Sequence, residues 1–256
     1  MTVEFSQQGS VGTLLINRPE RRNALDSNTL RLLVENLTAL SQLDTVSCVI
    51  ITGAGEKCFC AGGDLSSISG GSFFDQHNGR SGYLNLLQAM EQFPKPLIAR
   101  INGMVRGGGV GLALACDMIV ATDDSDFGTP EIKLGLFPMM VMALMLRNLP
   151  RKKAMELMFT GGKVSAEEAR DLGMINLVVP RSELDSATMA MAETIGSYSP
   201  AIVQLGKEAF QNMQGMPYKE ALNYLHGMLT LAVNTEDAME GISAFLSKRP
   251  PEWKGK

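Results

Sequence analysis

Two glycine-rich turns are the first features of this sequence that suit chemistry. The stretches Cys60-Ala-Gly-Gly-Asp-Leu65 and Arg106-Gly-Gly-Gly-Val-Gly-Leu112 each follow a strand-like segment. Glycine lets the backbone approach a ligand closely and leaves N–H groups free to point outward. Two such N–H groups directed at one oxygen would stabilise an enolate or a tetrahedral oxyanion. Glycines also serve simply to make tight turns, so neither turn identifies a site by itself.

The stretch Phe127-Gly-Thr-Pro-Glu-Ile132 adds a carboxylate. Glu131 follows Pro130, a residue favoured at the first position of a helix, and the helix dipole stabilises negative charge in that turn. That role would be purely structural. A second interpretation is a general base, because residues 132–145 are largely apolar and burial raises the pKa of a carboxylate toward values useful for proton transfer. Both interpretations remain open at this point.

Other kinds of site have little support in the residue pattern. The second glycine turn is not G-x-G-x-x-G, and the chain contains no P-loop Gly-Lys-Ser/Thr. The cysteines lack paired metal-ligand spacing and only two histidines are present, so we expect no metal site. A Ser-His-Asp arrangement is supported only by residue availability, and both histidines are expected at the surface. The residues concerned are Cys48, Cys58, Cys60, Cys116, His77 and His226.

Composition and charge argue against several classes of partner. The 256 residues include 27 acidic and 23 basic side chains, a net charge of -4, whereas nucleic acids and membrane surfaces attract basic faces. No apolar run reaches the roughly 18 to 20 residues that span a bilayer. The first residues do not resemble a signal peptide. We therefore expect a cytoplasmic protein with no nucleic-acid and no membrane partner.

The elements that would position the glycine turns alternate between strand-like and helix-like segments, which predicts an α/β fold. Short β-rich runs cover residues 11–17, 46–52, 96–101 and 117–121. Apolar residues recur at helical spacing over residues 27–43, and Asp26 or Ser27 can cap that helix. Residues 66–80 are rich in glycine and serine and have no clean period, so we predict a mobile loop there.

The last third of the chain is predicted to be helical. Ser165 and Glu168 form a capping box, and Gly173 is a credible helix stop. We divide the chain into a core of residues 1–195, which carries the site, and a helical region of residues 196–256. The breaks that punctuate the helical region are Pro200, Pro217 and Thr235.

Six motifs in a fixed order make a resemblance to a known family specific. They are Asn17-Arg-Pro-Glu…Asn23-Ala-Leu25, Phe59-Cys-Ala-Gly-Gly-Asp-Leu65, Pro94-Lys-Pro…Asn102-Gly103…Gly107-Gly-Gly109, Cys116-Asp117, Thr129-Pro-Glu-Ile132 and Phe245-Leu-Ser-Lys-Arg-Pro-Pro-Glu-Trp253. Together they resemble the crotonase (enoyl-CoA hydratase/isomerase) superfamily over nearly the whole chain. No single motif is decisive, but six in register are hard to obtain otherwise.

The resemblance implies a crotonase-like spiral of ββα turns with a C-terminal helical trimerisation region, assembled as a homotrimer or as a hexamer of two trimers. It implies an acyl-CoA thioester substrate, so that coenzyme A is part of the substrate and not a separate cofactor. By motif matching, the N–H groups of Gly63 and Gly108 form an oxyanion hole, and Glu131 flanks the reactive carbons. The residues assigned to substrate binding are Arg22, Ala24, Ala61, Asp64, Leu65, Met104, Pro130, Leu136, Met139 and Lys248.

One position departs from the family pattern. The family's other glutamate falls two residues after the triple glycine, where this chain has Gly111. Hydration of a conjugated thioester needs an activated water, and in the family two carboxylates share that work. Double-bond migration needs only one base, which removes an α-proton and returns it at the γ-carbon. We therefore rank Δ3–Δ2 enoyl-CoA isomerisation first and enoyl-CoA hydration second.

Several further hypotheses stay open. Arg106 would suit a decarboxylase if it bound a second carboxylate, although exposure to solvent or a structural ion pair explains it better. A non-catalytic acyl-CoA-binding protein would keep both turns and be indifferent to Glu131→Gln. Asp75, in the predicted loop, would restore hydration if it activated water.

Two residue groups complete the predictions. Met142 and Met145 are expected in the core, whereas Met139 and Met140 are expected to line the acyl end of the pocket. The candidates for the coenzyme A phosphates are Arg18, Arg21, Arg22, Lys248 and Arg249.

Overall fold

Two β-sheets form the centre of the computed structural model, which describes residues 2–64 and 73–256, with the backbone alone for residues 73–80. The strands are β1 (Val3–Gln8), β2 (Val11–Ile16), β3 (Cys48–Gly53), β4 (Cys58–Cys60), β5 (Leu97–Ile101), β6 (Met104–Arg106), β7 (Met118–Thr122), β8 (Asp126–Gly128), β9 (Lys163–Ser165) and β10 (Leu177–Val179). The larger sheet has the order β1-β2-β3-β5-β7-β10 and the smaller one β4-β6-β8-β9.

Helices follow the strands and then take over the chain. They are α1 (Ser27–Ser41), α2 (Phe73–Glu91), α3 (Gly108–Leu114), α4 (Met139–Asn148), α5 (Arg151–Thr160), α6 (Ala166–Asp171), α7 (Leu184–Gly196), α8 (Pro200–Met213), α9 (Tyr218–Val233) and α10 (Glu236–Leu246). Short 3-10 helices cover Pro19–Arg21, Pro130–Leu134 and Arg181–Glu183. No helix in the described part of the chain is long and apolar enough to cross a membrane.

The strands alternate between the two sheets, and this alternation makes the spiral. The pairs β3 and β4, β5 and β6, and β7 and β8 each place their first strand in the larger sheet and their second in the smaller one. Equivalent strands of successive turns pair in parallel. A helix or helical turn follows each pair. The predicted α/β spiral of ββα turns is confirmed.

The larger sheet is buried on both faces, which explains why its central strands read as continuous apolar runs. All six residues of β3 are buried. On one face, Leu33 and Leu37 of α1 join the main core. On the other face, Leu184 of α7 belongs to an apolar cluster with Ile50 and Ile98. The strands that lead directly into the two glycine turns, β4 and β6 of the smaller sheet, also contribute buried residues to the main core.

The helix starts follow the sequence signals. Asp26 caps α1 by accepting a hydrogen bond of 2.7 Å from the backbone N–H of Thr29. Ser165 caps α6 by accepting one of 3.1 Å from Glu168 N–H. Thr235 caps α10. A cap of this kind contributes about 1 kcal/mol to stability.

The predicted loop over residues 66–80 is partly wrong. The backbone of residues 73–80 is the first part of α2, and only residues 66–72 of the predicted loop, with Leu65, lie outside the described residues. Glycine and serine lower helix propensity, but α2 packs along α1, with Leu30 against Gly82. Tertiary packing of this kind overrides a weak propensity.

The C-terminal helices leave large apolar side chains exposed. Residue 196 is the last residue of α7, and the helices α8 to α10 follow it. Phe245 is 83% exposed and Leu229 is 61% exposed. Lys207 of α8 holds this region to the core through Asp117, at 2.6 Å. Other large apolar side chains of this region that are exposed include Phe210, Leu222, Leu231, Met239, Ile242 and Leu246.

Candidate active site

The first glycine turn presents an outward-facing N–H at Gly63. Gly63 forms an isolated parallel bridge with Leu25. Leu25 N–H donates to Gly62 O at 2.8 Å, and Asp64 N–H donates to Leu25 O at 3.0 Å. Because successive peptide groups of an extended chain point to opposite sides, the N–H of Gly63 faces away from Leu25. Among the described residues it has no acceptor.

The second turn brings the N–H of Gly108 to the same place. Gly107 has a φ of +53°, which favours glycine, and its N–H donates to Gly128 O at 2.9 Å. The chain then enters α3 at Gly108, whose N–H has no acceptor in the part of the chain described. A Cβ on Gly108 would lie 3.5 Å from Gly63 N. The backbone of Gly108 therefore lies next to the N–H of Gly63.

Glu131 lies beside this pair of N–H groups. It occupies the first turn of the 3-10 helix Pro130–Leu134, as the sequence predicted. Its carboxylate packs against the second turn, because a Cβ on Gly107 would lie 2.8 Å from Glu131 Oε1. Oε2 of Glu131 is buried and has no hydrogen-bond partner among the described residues. Burial raises the pKa of Glu131, and a hydrogen bond from its own backbone N–H only partly offsets this.

The place of the family's other glutamate is occupied from another helix. A Cβ on Gly111 would overlap the hydroxyl oxygen of Tyr83, which belongs to α2. The same hydroxyl donates a hydrogen bond of 2.6 Å to Gly108 O. Sequence reasoning missed Tyr83 because the two bonded residues are 25 positions apart and no periodicity links them. The phenol of Tyr83 therefore occupies the space that a side chain at position 111 would enter.

The predicted substrate-binding residues near the first turn are close together. Ala61 N–H donates to Arg22 O at 3.0 Å, and Arg22 itself is exposed. Arg18 bonds Ala24 O and forms an ion pair of 3.1 Å with Asp64. This network braces the segment that holds Gly63.

Arg18 and Arg249 are poor candidates for phosphate binding. Arg18 pairs with Asp26 at 3.0 Å as well as with Asp64. Arg249 pairs with Glu240, and hydrogen bonds from Arg249 hold the pKa of Glu240 at about 2. Both guanidinium groups are therefore already neutralised within the chain.

Some of the other residues predicted to bind substrate lie in the segment of Glu131, and the rest lie elsewhere. Pro130 and Leu136 belong to the Glu131 segment, since Pro130 begins the 3-10 helix and Leu136 N–H donates to Glu131 O at 3.0 Å. Met104 begins β6, the strand that leads to the second turn. Met139 is 66% exposed at the start of α4. Lys248 is exposed after α10, and no hydrogen bond or ion pair within the described chain joins it to either turn.

Arg106 is neutralised by structural partners. It forms an ion pair of 2.6 Å with Asp126, which Lys163 also contacts at 2.6 Å. Burial opposes ionisation of Asp126, but these two cations hold its pKa below the ordinary value. The structural ion pair favoured for Arg106 is confirmed, and the decarboxylase hypothesis loses its candidate for binding a second carboxylate.

Three other predictions are resolved or left open by the structure. Met145 is buried and Met142 packs against the core, so the core role predicted for both is confirmed. His226 is exposed, as predicted. The side chains of Asp75 and His77 lie outside the described residues.

A family model supplies the deciding observation. The model for enoyl-CoA hydratase/isomerase matches residues 6–256. The chain belongs to this family.

Named relatives of this family are similar along the entire chain. A probable mitochondrial enoyl-CoA hydratase of Dictyostelium discoideum is 35% identical, covering 100% of this chain and 91% of the relative. A carnitinyl-CoA dehydratase of Escherichia coli K12 is also 35% identical, covering 100% of this chain and 99% of the relative. Both names describe the addition or removal of water at an acyl-CoA, and neither describes isomerisation.

Solved structures of the hydratase/isomerase family share this fold closely. The enoyl-CoA hydratase of Bacillus anthracis superposes with a TM-score of 0.95 at 33% identity, over 100% of both chains. Human enoyl coenzyme A hydratase domain-containing protein 3 also gives 0.95, at 31% identity, covering 99% of this chain and 100% of the other. The chain is thus an acyl-CoA-processing enzyme of the crotonase type.

Proposed function

We propose that this enzyme adds water across the double bond of a 2-enoyl-CoA thioester and catalyses the reverse elimination. Glu131 is the acid–base group, and the N–H groups of Gly63 and Gly108 bind the thioester oxygen. The observation that carries this proposal is the buried, unpartnered Oε2 of Glu131 beside two N–H groups that have no acceptor among the described residues. The names of the relatives support hydration ahead of isomerisation.

The proposed reaction uses one carboxylate twice. Glu131 takes a proton from water as the water oxygen bonds to C3, and the electron pair of the double bond moves toward the thioester oxygen. The N–H groups of Gly63 and Gly108 stabilise the enolate oxygen that results. Glu131 then gives the same proton to C2, which restores the carboxylate and completes a 3-hydroxyacyl-CoA.

Isomerisation is the second candidate, because Gly111 removes the family's other carboxylate. Glu131 would then move a proton from the α-carbon to the γ-carbon of a 3-enoyl-CoA. This reaction needs the same enolate stabilisation but no water.

Product analysis separates the two reactions. The enzyme is incubated with a medium-chain 2-enoyl-CoA and, separately, with the 3-enoyl isomer, and the products are followed by mass spectrometry and ultraviolet absorbance. Hydration gives a product heavier by one water from the 2-enoyl substrate, with loss of conjugated absorbance. An unchanged mass with new conjugated absorbance from the 3-enoyl substrate would identify an isomerase instead.

The same proposal extends to assembly and location. Exposed apolar side chains on α8 to α10 support a homotrimer or a hexamer formed by these helices. Lys248, at the end of α10, would then meet coenzyme A of a neighbouring subunit. Free, buried thiols at Cys48, Cys58, Cys60 and Cys116 support a reducing, cytoplasmic location.

A further inference from the structure

The hydroxyl of Tyr83 sits at a position that the two-carboxylate mechanism would assign to a glutamate side chain. Tyr83 Cε2 lies 3.6 Å from where a Cβ on Gly108 would be, and its hydroxyl overlaps the Cβ position of Gly111. Glu131 Oε1 lies 2.8 Å from the Cβ position of Gly107. The phenol and the carboxylate therefore flank the same short stretch of backbone, next to the N–H of Gly108.

The hydrogen bond to Gly108 decides what the phenol can do. A tyrosine hydroxyl has one proton to donate and lone pairs that accept. Tyr83 donates its proton to Gly108 O at 2.6 Å, so toward a ligand it is an acceptor. Burial raises the pKa of Tyr83, and the negative charge of the Glu131 carboxylate raises it further. The phenol therefore stays protonated at neutral pH and acts as neither a base nor a nucleophile.

We propose that Tyr83 is a water-positioning residue, whose hydroxyl oxygen accepts one O–H of the attacking water while Glu131 accepts the other. This inference rests on the hydratase function proposed above. With both hydrogens of the water engaged, a lone pair of its oxygen is left to face C3. A water held at two points loses less entropy in the transition state than one held by Glu131 alone.

The proton balance is unchanged by Tyr83. The proton that leaves the water goes to Glu131 and then to C2, and the remaining O–H becomes the 3-hydroxyl group. Tyr83 keeps its own proton throughout, on the hydrogen bond to Gly108 O. Its effect is on the geometry of the water, so it matters for hydration and not for proton transfer at C2.

The test compares two reactions in one pair of proteins. Hydration of a medium-chain 2-enoyl-CoA needs the water, whereas exchange of the α-protons of a saturated medium-chain acyl-CoA in D2O needs only Glu131 and the oxyanion hole. Tyr83→Phe keeps the ring and removes the hydroxyl. Tyr224→Phe is the matched control, because Tyr224 is half-buried on α9 and its hydroxyl accepts from Asn212 and not from any residue of the site.

We expect Tyr83→Phe to lower kcat for hydration by about tenfold or more, because the attacking water loses its hydrogen bond to the Tyr83 hydroxyl. KM and the rate of α-proton exchange should stay at wild-type values, and Tyr224→Phe should change neither reaction. A merely structural role, acting through Gly108, would slow both reactions together and would overturn the proposal. Unchanged hydration in Tyr83→Phe would also overturn it, while the hydratase function itself would stand.

Failure of the underlying function has a different signature. A wild-type enzyme that exchanges α-protons but adds no water to any 2-enoyl-CoA is not a hydratase, and the role of Tyr83 falls with it. This result is seen in the wild type before any variant is compared. A melting curve for Tyr83→Phe that matches the wild type verifies that both proteins are folded.

Discussion

The two flanks of the active site are built by opposite means. The carboxylate flank, Thr129–Glu131, follows β8 directly and is positioned by local sequence: a strand, a proline and a short 3-10 helix. The phenol flank, Tyr83 over Gly111, joins α2 to α3 and exists only because two helices pack together. A residue type that is absent at one position leaves room that a distant element can fill. Absence of a family side chain therefore does not mean an empty place.

The two flanks also differ in how their polar atoms are satisfied. Glu131 Oε2 and the nearby Thr129 Oγ1 are buried without a hydrogen-bond partner among the described residues. The Tyr83 hydroxyl, by contrast, is bonded to Gly108 O. An unsatisfied buried carboxylate is poised to take up a proton or a ligand. The phenol is held in one place and in one protonation state.

Removing the carboxylate should have the largest effect. Glu131→Gln keeps the shape of the side chain and removes the base, so kcat should fall by about 10²- to 10⁴-fold for hydration and for α-proton exchange alike. Steady-state kinetics and deuterium incorporation measure the two effects. A wild type without turnover, whose acyl-CoA affinity is the same in Glu131→Gln, would instead indicate a non-catalytic binding protein.

Displacing the carboxylate should come next. In Gly107→Ala the new Cβ would lie 2.8 Å from Glu131 Oε1, on a backbone with φ of +53°. A misplacement of about 1 Å lowers activity by on the order of 10²-fold. Gly173→Ala is the control, because its φ is +78° and no atom lies within 4 Å of the new Cβ. If Gly107→Ala and Gly173→Ala lost equal activity, backbone strain and not displacement of the Glu131 carboxylate would explain the loss.

Disturbing the phenol should have a smaller and more selective effect. Gly111→Ala places a Cβ on the Tyr83 hydroxyl, so hydration should fall by about tenfold, as it does on losing one hydrogen bond, while α-proton exchange persists. In the double variant Tyr83→Phe with Gly111→Ala, the overlapping oxygen is gone. Its hydration rate should match that of Tyr83→Phe alone, since the two changes remove one interaction. Additive losses would show that position 111 acts independently of Tyr83.

The pH dependence of stability should give the smallest effect. Because burial raises the pKa of Glu131 in the folded enzyme, the unfolded chain releases this proton first as pH rises. The free energy of unfolding therefore decreases as pH rises from the ordinary pKa of a glutamate, about 4.3, to the raised pKa of Glu131. At pH 7, Glu131→Gln should melt at a higher temperature than the wild type, by about 2 to 4 °C for each kcal/mol of difference in the free energy of unfolding. This difference should disappear near pH 4. Identical melting temperatures at pH 7 would contradict a raised pKa.

Much of the fold was predictable because its signals are local. Apolar runs gave β3 and β5, and Asp26 and Ser165 marked helix starts that the structure confirms. Glu131 was predictable because Pro130 sets its helical turn. The start of α2 was not, since its helix forms through packing on α1 and not through propensity.

The sequence alone determined the family, the two glycine turns and the single carboxylate, because each depends on residues that are neighbours in the chain. Only the tertiary structure decided that Arg106 is neutralised by Asp126 and that Tyr83 fills the space beside Gly111. Both facts depend on contacts between elements that are distant in sequence. Such contacts are selected by shape and burial in three dimensions, and residue spacing along the chain carries no record of them.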